Sequence, residues 1–227
     1  KEELKKSHKN LFAYTAEESF NEKIENLKNM VNELDYDEMK VEISRVVASL
    51  RDAHTSLIFP AKRFIPLKFY CFNDGVYIIN TCKGYEKLLF RKVLAIGDMK
   101  IEEVLEELFN IISFENEYFF KAQSMKYMQI AEVLYGLLII DTMGKIKITL
   151  DEGEYEVLTC SFEDLVYTNK RLPMYAKNDS ENLWFQILGS GELYIKYNSC
   201  REKGEESIGK KIENIISLIE NENIEKV

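Results

Sequence analysis

The chain has 227 residues, 46% hydrophobic and 30% charged, with 39 acidic against 30 basic side chains and a formal net charge of −9. That is enough apolar material for one large core or two smaller ones, and the negative balance excludes the basic footprint that sequence-independent binding to nucleic acid requires. No run of about 18 apolar residues occurs, because the longest stretch, Val133 to Ile140, is broken by Tyr135 and Gly136, so no segment reads as a membrane span.

The first elements are helical. Thr15 followed by Glu18 has the spacing of a capping box, and Phe20, Ile24, Leu27, Val31 and Leu34 then recur at three- and four-residue intervals. Asp35 with Glu38 repeats the signal before Met39, Ile43, Val46, Val47 and Leu50. Both stripes are read as core, and the second helix delivers Arg51 to Thr55 at its C-terminus, close to an exposed turn.

From Pro66 the period changes to two. Leu67, Phe69 and Cys71 alternate with their neighbours, Asn73-Asp74-Gly75 turns, and Val76 to Ile79 returns as a strand. A two-residue turn at Asp74-Gly75 would set Cys71 opposite Ile78 and Cys82 opposite Leu67, leaving the two thiols about 13 Å apart along the strands and unable to bridge. Val93 to Ile96, ended by Gly97-Asp98, is a short strand feeding a helix with the stripe Ile101, Val104, Leu105, Leu108, Phe109 and Ile112. Phe114 to Ile140 suggests one or two further helices, and Lys145 to Leu150 with Tyr155 to Cys160 a second hairpin around Asp151 to Glu154.

Val166 to Asn182, with Pro173 and no periodicity, is the expected boundary between two regions. Beyond it Leu183 to Leu188 and Leu193 to Tyr197 read as strands around Gly189-Ser190-Gly191, and Ile208, Ile212, Ile215, Ile216 and Ile219 build an amphipathic helix. Strand, helix, polar turn and a new strand at Ile224 to Val227 is the order of a parallel crossover. A parallel strand is buried on both faces, so the chain is expected to be truncated where that second strand begins; the alternative is a small mixed sheet whose last helix packs on the existing strands.

Little in the sequence points to a metal or cofactor. Cys71, Cys82, Cys160 and Cys200 are widely spaced without a Cys-x-x-Cys pair, and His8 and His54 are the two histidines, so zinc-type spacing is absent and buried reduced thiols are expected. Neither a cytoplasmic nor an exported location is excluded.

The string Val47-Ala48-Ser49-Leu50-Arg51-Asp52-Ala53-His54-Thr55 resembles the Leu-Gly-Asp-Gly-His-Thr type of segment that closes the N-terminal helical region of tail-specific (C-terminal-processing) and tricorn-core-like serine peptidases, with Arg51 and Ala53 in place of the usual glycines. The similarity continues in order through the Phe69 to Ile79 hairpin, through Val93 to Asp98, which resembles the family's PDZ-like Ile-Asn-Gly strand, and through Gly191 to Tyr197.

The resemblance implies an α+β fold: an N-terminal helical hairpin (1–60), a PDZ-like mixed β/α region with extra helices (61–165), a linker (166–182) and the beginning of an α/β, βαβ-type peptidase core (183–227). It implies peptide-bond hydrolysis in the complete protein, a polypeptide substrate bound by its C-terminal end through strand addition, and no cofactor. In such peptidases a Val-Ile-Asp-Leu-Arg-like strand and a glycine-rich turn then carry the nucleophilic Ser. This chain stops at Glu225-Lys226-Val227, so neither Ser nor acyl-enzyme is expected of it alone.

By the same resemblance His54 is the candidate general base of the tricorn-like branch, a role suited to an imidazole that titrates near neutrality, whereas other branches use a Ser-Lys pair. His8, followed by Lys9-Asn10-Leu11-Phe12, resembles a His-Pro-Asn-Leu stretch and is read as structural. Asp52 reads as a solvated helix-end charge or a loop hydrogen-bond acceptor, and Ser199 and Cys200 lie after a strand without an assigned base. Two alternatives from other classes are a non-catalytic peptide-binding module on the same scaffold and an assembly protein joined through the aromatic and Met surface of Phe114 to Tyr135.

Overall fold

The computed structural model describes residues 2–168, 174, 180–189, 191–202, 206–222 and 224–227. Among these, seven α-helices and eight strands form an α+β arrangement, and the chain divides into two compact units, Lys1–Asn169 and Lys170–Val227. Pro173, Ser190 and most of the expected linker lie outside the described residues.

The first unit opens with α1 (Glu2–Ser7), α2 (Glu17–Met30) and α3 (Tyr36–Ala48). The capping box at α3 forms: Asp35 Oδ1 accepts from the Asp37 and Glu38 amides at 2.8 and 2.9 Å, and Glu38 Oε2 accepts from the Asp35 amide at 2.8 Å. The one expected at α2 does not. Its N-cap is Ala16, and the Thr15 hydroxyl donates to the carbonyl of Ser49, one of the end carbonyls of α3 that lack a donor from a following turn. The α2 stripe also ends early, with Val31 46% exposed. Phe20 packs with Leu11 and Leu50 in a small core of its own.

A sheet of six strands and three further helices make up the rest of the described part of this unit. Strands β1 (Leu67–Phe72), β2 (Gly75–Thr81), β3 (Lys92–Ile96), β5 (Lys145–Leu150) and β6 (Gly153–Leu158) follow in that spatial order, and the short β4 (Met99–Lys100) pairs with β3. All pairings are antiparallel. The β1–β2 turn is Asn73-Asp74, one residue earlier than expected, because Gly75, at φ +143°, already pairs with Phe72. The register moves accordingly: Cys71 faces Val76 and Phe69 faces Ile78, while a shift at Lys68/Phe69 sets Leu67 against Thr81. The second hairpin tightens in the same way, with Gly153, at φ +138°, pairing with Leu150.

Helix α4 (Ile101–Ile111) follows β4 directly, buries Ile101, Val104, Leu108 and Ile111, and is succeeded by α5 (Glu117–Tyr127) and α6 (Ala131–Gly136). The turn that feeds α4 needs glycine twice over: Gly97 has φ +61°, and a Cβ there would lie 2.1 Å from the Ile139 carbonyl oxygen. One core joins the inner face of the sheet to these helices, including Ile65, Phe69, Ile78, Val93, Ile96, Met128, Leu134 and Ile148.

Residues 62–65 are stitched across this core. The Ala131 amide donates to Arg63 O and the Ile65 amide to Gln129 O, and Phe64 exchanges two backbone bonds with Cys160. The buried carboxylate of Glu132 accepts from the Lys62 and Arg63 amides at 2.9 and 3.2 Å, which is how a charge at 7% exposure is satisfied. Gln129 donates from Nε2 to the Leu67 carbonyl and, at 2.6 Å, to the Tyr167 hydroxyl, whose pKa burial pushes up to about 12.

The second unit pairs β7 (Leu183–Ile187) with β8 (Leu193–Tyr197) antiparallel. Helix α7 (Ile208–Asn221) starts at Ser207, whose hydroxyl oxygen accepts from the Lys210 amide at 3.1 Å. After it the chain returns beside β8: Glu192 and Lys226 form a parallel bridge, and the Leu193 amide donates to Lys226 O at 2.7 Å. This is the crossover order legible in the sequence. Leu183, Leu193 and Ile215 are its buried centre, while Ile212, Ile216 and Ile219 on α7 remain 37–51% exposed. No helix among the described residues is long and apolar enough to cross a membrane.

Candidate functional site

The segment singled out by resemblance is a turn built on the end of α3. The Leu50 amide donates to Val47 O and the Arg51 amide to Ala48 O, closing the helix. Arg51 then enters the left-handed region at φ +56°, a conformation that costs a non-glycine residue about 1–2 kcal/mol. The resembling peptidase segments carry glycine at this position. Here the cost is carried by the contacts that follow.

Those contacts converge on Asp52. Its Oδ1 accepts from the His54 amide at 3.1 Å, and its Oδ2 accepts from the Thr55 hydroxyl and, at 2.8 Å, from His8 Nε2. His8 Nδ1 accepts from the Asn10 amide at 3.1 Å, which leaves Nε2 as the protonated nitrogen facing Asp52. The Ser113 hydroxyl donates to Thr55 O at 2.7 Å, tying the turn to the segment after α4. The side chains of His8 and Asp52 are 26% and 18% exposed, so the pair is only partly wet.

The hydroxyl of Thr55, the His54 amide and His8 together hold the Asp52 carboxyl below the usual carboxylate range, against a smaller opposing effect of burial. A carboxyl with a depressed folded-state pKa contributes stability that is present above its unfolded value near 4 and is lost as the pH falls through the folded value. Asp52→Asn is therefore expected to lower stability by about 1–2 kcal/mol at pH 7. The gap between wild type and variant, measured by urea unfolding, is expected to shrink progressively between about pH 5 and pH 2.

His54 itself is exposed, and its ring makes no hydrogen bond or ion pair with another described residue. Its main chain is fixed and its imidazole is presented to solvent. The turn thus brings His8, Asp52 and Thr55 together and leaves His54 outside that cluster. Asp52 is a loop acceptor, one of the two readings of its spacing. Its partnership with His8, 44 residues away, carried no local signal.

The remaining candidates do not assemble a second centre. Burial raises the thiols of Cys71, Cys82 and Cys160, which keeps them protonated at neutral pH, and Cys200 is exposed beside the Tyr197 hydroxyl. All four cysteines are free. Ser199 is held through its amide by Asn182 O at 3.3 Å. Among the described residues no three His, Cys, Asp or Glu side chains gather as metal ligands.

No protein-family model and no curated protein sequence matches the chain. Solved structures do. Mature CPAF, a chlamydial serine protease, matches over 88% of this chain and 47% of its own, with 10% identity and a TM-score of 0.54. Mature CPAF complexed with lactacystin matches over 65% of this chain and 29% of its own, at 12% identity and a TM-score of 0.44. A serine-to-alanine mutant of CPAF covers 65% and 28%, at 12% identity and a TM-score of 0.45. The first likeness establishes a shared fold, and the chain spans less than half the length of that solved chain.

Proposed function

We propose that this chain is the N-terminal portion of a serine endopeptidase of the tail-specific type, in which His54 is the general base and the nucleophilic Ser comes from sequence outside these 227 residues. The observation that carries the reading is the geometry of the turn: an imidazole directed to solvent from a backbone that Asp52, Thr55 and Ser113 hold in place. A base that must reach a nucleophile from another part of the protein needs such a fixed, unobstructed position. The CPAF-like fold supports the reading, as does the exposed apolar row on α7, which suits a further layer of an α/β core.

In this reading the β1–β6 sheet with α4 is the PDZ-like region, and a polypeptide adds to it as a strand. Two outer strands are available, β1 and β6. Helix α5 packs against β1 and Gln129 takes the Leu67 carbonyl, whereas among the described residues β6 is engaged only at its end, where the Leu158 amide donates to the Tyr85 hydroxyl at 2.9 Å, so the earlier part of β6 is the side proposed for a substrate strand.

The test is made on the complete gene product. Labelling by a fluorophosphonate probe and hydrolysis of an unfolded polypeptide are the expected results, with neither given by residues 1–227 alone. If the complete product is neither labelled nor active, the peptidase reading is overturned. One observation favours a second reading, a peptide-binding module without chemistry: Asp52, the nearest carboxylate in sequence, serves His8 and Thr55 and not the His54 ring. Peptide binding by an unlabelled complete product is the result that reading requires.

A further inference from the structure

Beside the His54 turn lies a cleft of about 640 Å³ walled by α2, the end of α3, and the end of α4 with the segment that follows it. Three cations line it: Lys23, Arg45 and Arg51. Arg45 is already engaged by Glu42 at 3.1 Å and Glu107 at 3.3 Å. Lys23 and Arg51 have no carboxylate within salt-bridge distance among the described residues, although acidic side chains outnumber basic ones 39 to 30 in the chain. Glu115 is the one carboxylate of the lining.

The end of α3 does not account for these charges. The carbonyls of Arg45, Val47 and Ala48 accept from the amides of Ser49, Leu50 and Arg51, and the Ser49 carbonyl accepts from Thr15, so the negative end of the helix is largely satisfied within the chain. The same cleft is lined by aromatic rings. Phe109 and Phe114 line the cleft with ring centroids 4.8 Å apart, and Phe120 packs against both at 5.4 and 5.2 Å, which holds the wall rigid. Phe109 is nevertheless 52% exposed, and Tyr14, at 71%, also lines the cleft.

We propose that this cleft binds a peptide segment in which an acidic side chain neighbours an aromatic one, the carboxylate lying between Lys23 and Arg51 and the ring against Phe109 and Phe114. Charge and shape both select this class. A carboxylate supplies the counter-charge that the two cations lack, and an aromatic ring finds an edge-to-face partner at low entropic cost. The left-handed backbone of Arg51, which a glycine would adopt without strain, sets this guanidinium on the cleft wall three residues before His54. If the chain acts as a peptidase, the cleft selects acidic-aromatic segments for it. The binding inference itself does not depend on catalysis.

The probe is a fluorescein-labelled peptide with Glu-Phe-Glu at its centre and an amidated C-terminus, titrated with the 227-residue chain and followed by anisotropy. Saturable binding is expected, weakened about tenfold or more when the peptide carries Gln-Phe-Gln, and weakened between 50 and 300 mM salt. The double variant Lys23→Glu/Arg51→Glu is expected to lose about tenfold or more, and Lys23→Gln alone about threefold. Lys83→Glu, an exposed charge outside the cleft lining, is expected to leave affinity unchanged. An unchanged unfolding midpoint shows that the double variant is folded, and the single variant gives the same answer if it is not. Equal affinity for the Glu and Gln peptides, equal losses in the Lys23 and Lys83 variants, or no saturation at about 1 mM overturns the proposal. Because the readout is binding, its failure leaves the peptidase reading standing, and an unlabelled complete product leaves the cleft standing.

Discussion

Gly136→Ala is expected to destabilise the first unit by about 1–3 kcal/mol, a fall of roughly 3–10 °C in its unfolding midpoint. In most helices the same change helps, because alanine is favoured over glycine by up to about 1 kcal/mol. Here α6 crosses α3 so closely that a Cβ on Gly136 would lie 2.5 Å from the Asp37 carbonyl oxygen, 2.8 Å from its carbon and 2.7 Å from Val41 Cγ2. Two of those three atoms are backbone of the first turn of α3, whose N-terminus the Asp35–Glu38 box pins. No rotamer relieves the overlap, so one helix must shift off a core that contains Val41, Val133 and Leu134. Gly144→Ala is the matched comparison in the same unit. Nothing lies within 4 Å of its Cβ position, and the variant is expected to be neutral or slightly stabilised through its less flexible unfolded chain. Equal melting of the two variants would show that the crossing yields at no cost.

That crossing also marks the limit of what the sequence discloses. The three- and four-residue periods located α2, α3, α4 and α7, and the two-residue periods located both hairpins, because those signals depend on which face of one element is buried. The contact between α3 and α6 joins residues about 100 apart, and the β3–β5 pairing at the centre of the sheet joins Val93 to Leu150. No local pattern specifies such partners. The turn positions differ for a smaller reason: Gly75 and Gly153 have the composition of turn residues, yet each is the first paired residue of its strand, where its positive φ lets the chain leave the turn.

At the candidate site the division is similar. Resemblance pointed to residues 51–55 and to His54, and the helix stripe ending at Leu50 set them just past a helix end. The bonds that give the turn its shape come from elsewhere: His8 from before α2, Ser113 from after α4, and Thr15, whose hydroxyl caps the end of α3 and not the start of α2. A hydroxyl three residues before a glutamate, as Thr15 is before Glu18, has the same sequence signature whichever way it points. Only the packing of α2 on α3 decides which unpaired backbone group it meets.

The largest effect is expected from His54→Ala in the complete protein. If His54 is the general base, as proposed above, its removal lowers turnover by about 10²–10⁴ with little change in KM, since a base acts on the reacting proton and not on the bound chain. The substitution is well suited to isolating chemistry. The His54 amide that bonds Asp52 is retained, the exposed ring has no described partner to lose, and the unfolding midpoint is expected to stay within about 1 °C. His8→Gln separates the two histidines. It removes the ring that faces Asp52, so a loss of stability is expected with turnover retained in the folded protein. His54→Ala is expected to do the reverse. If His54→Ala turns over at close to the wild-type rate, the base lies elsewhere, as in a Ser-Lys mechanism, and the turn on Asp52 is a structural clasp between α1, α3 and α4.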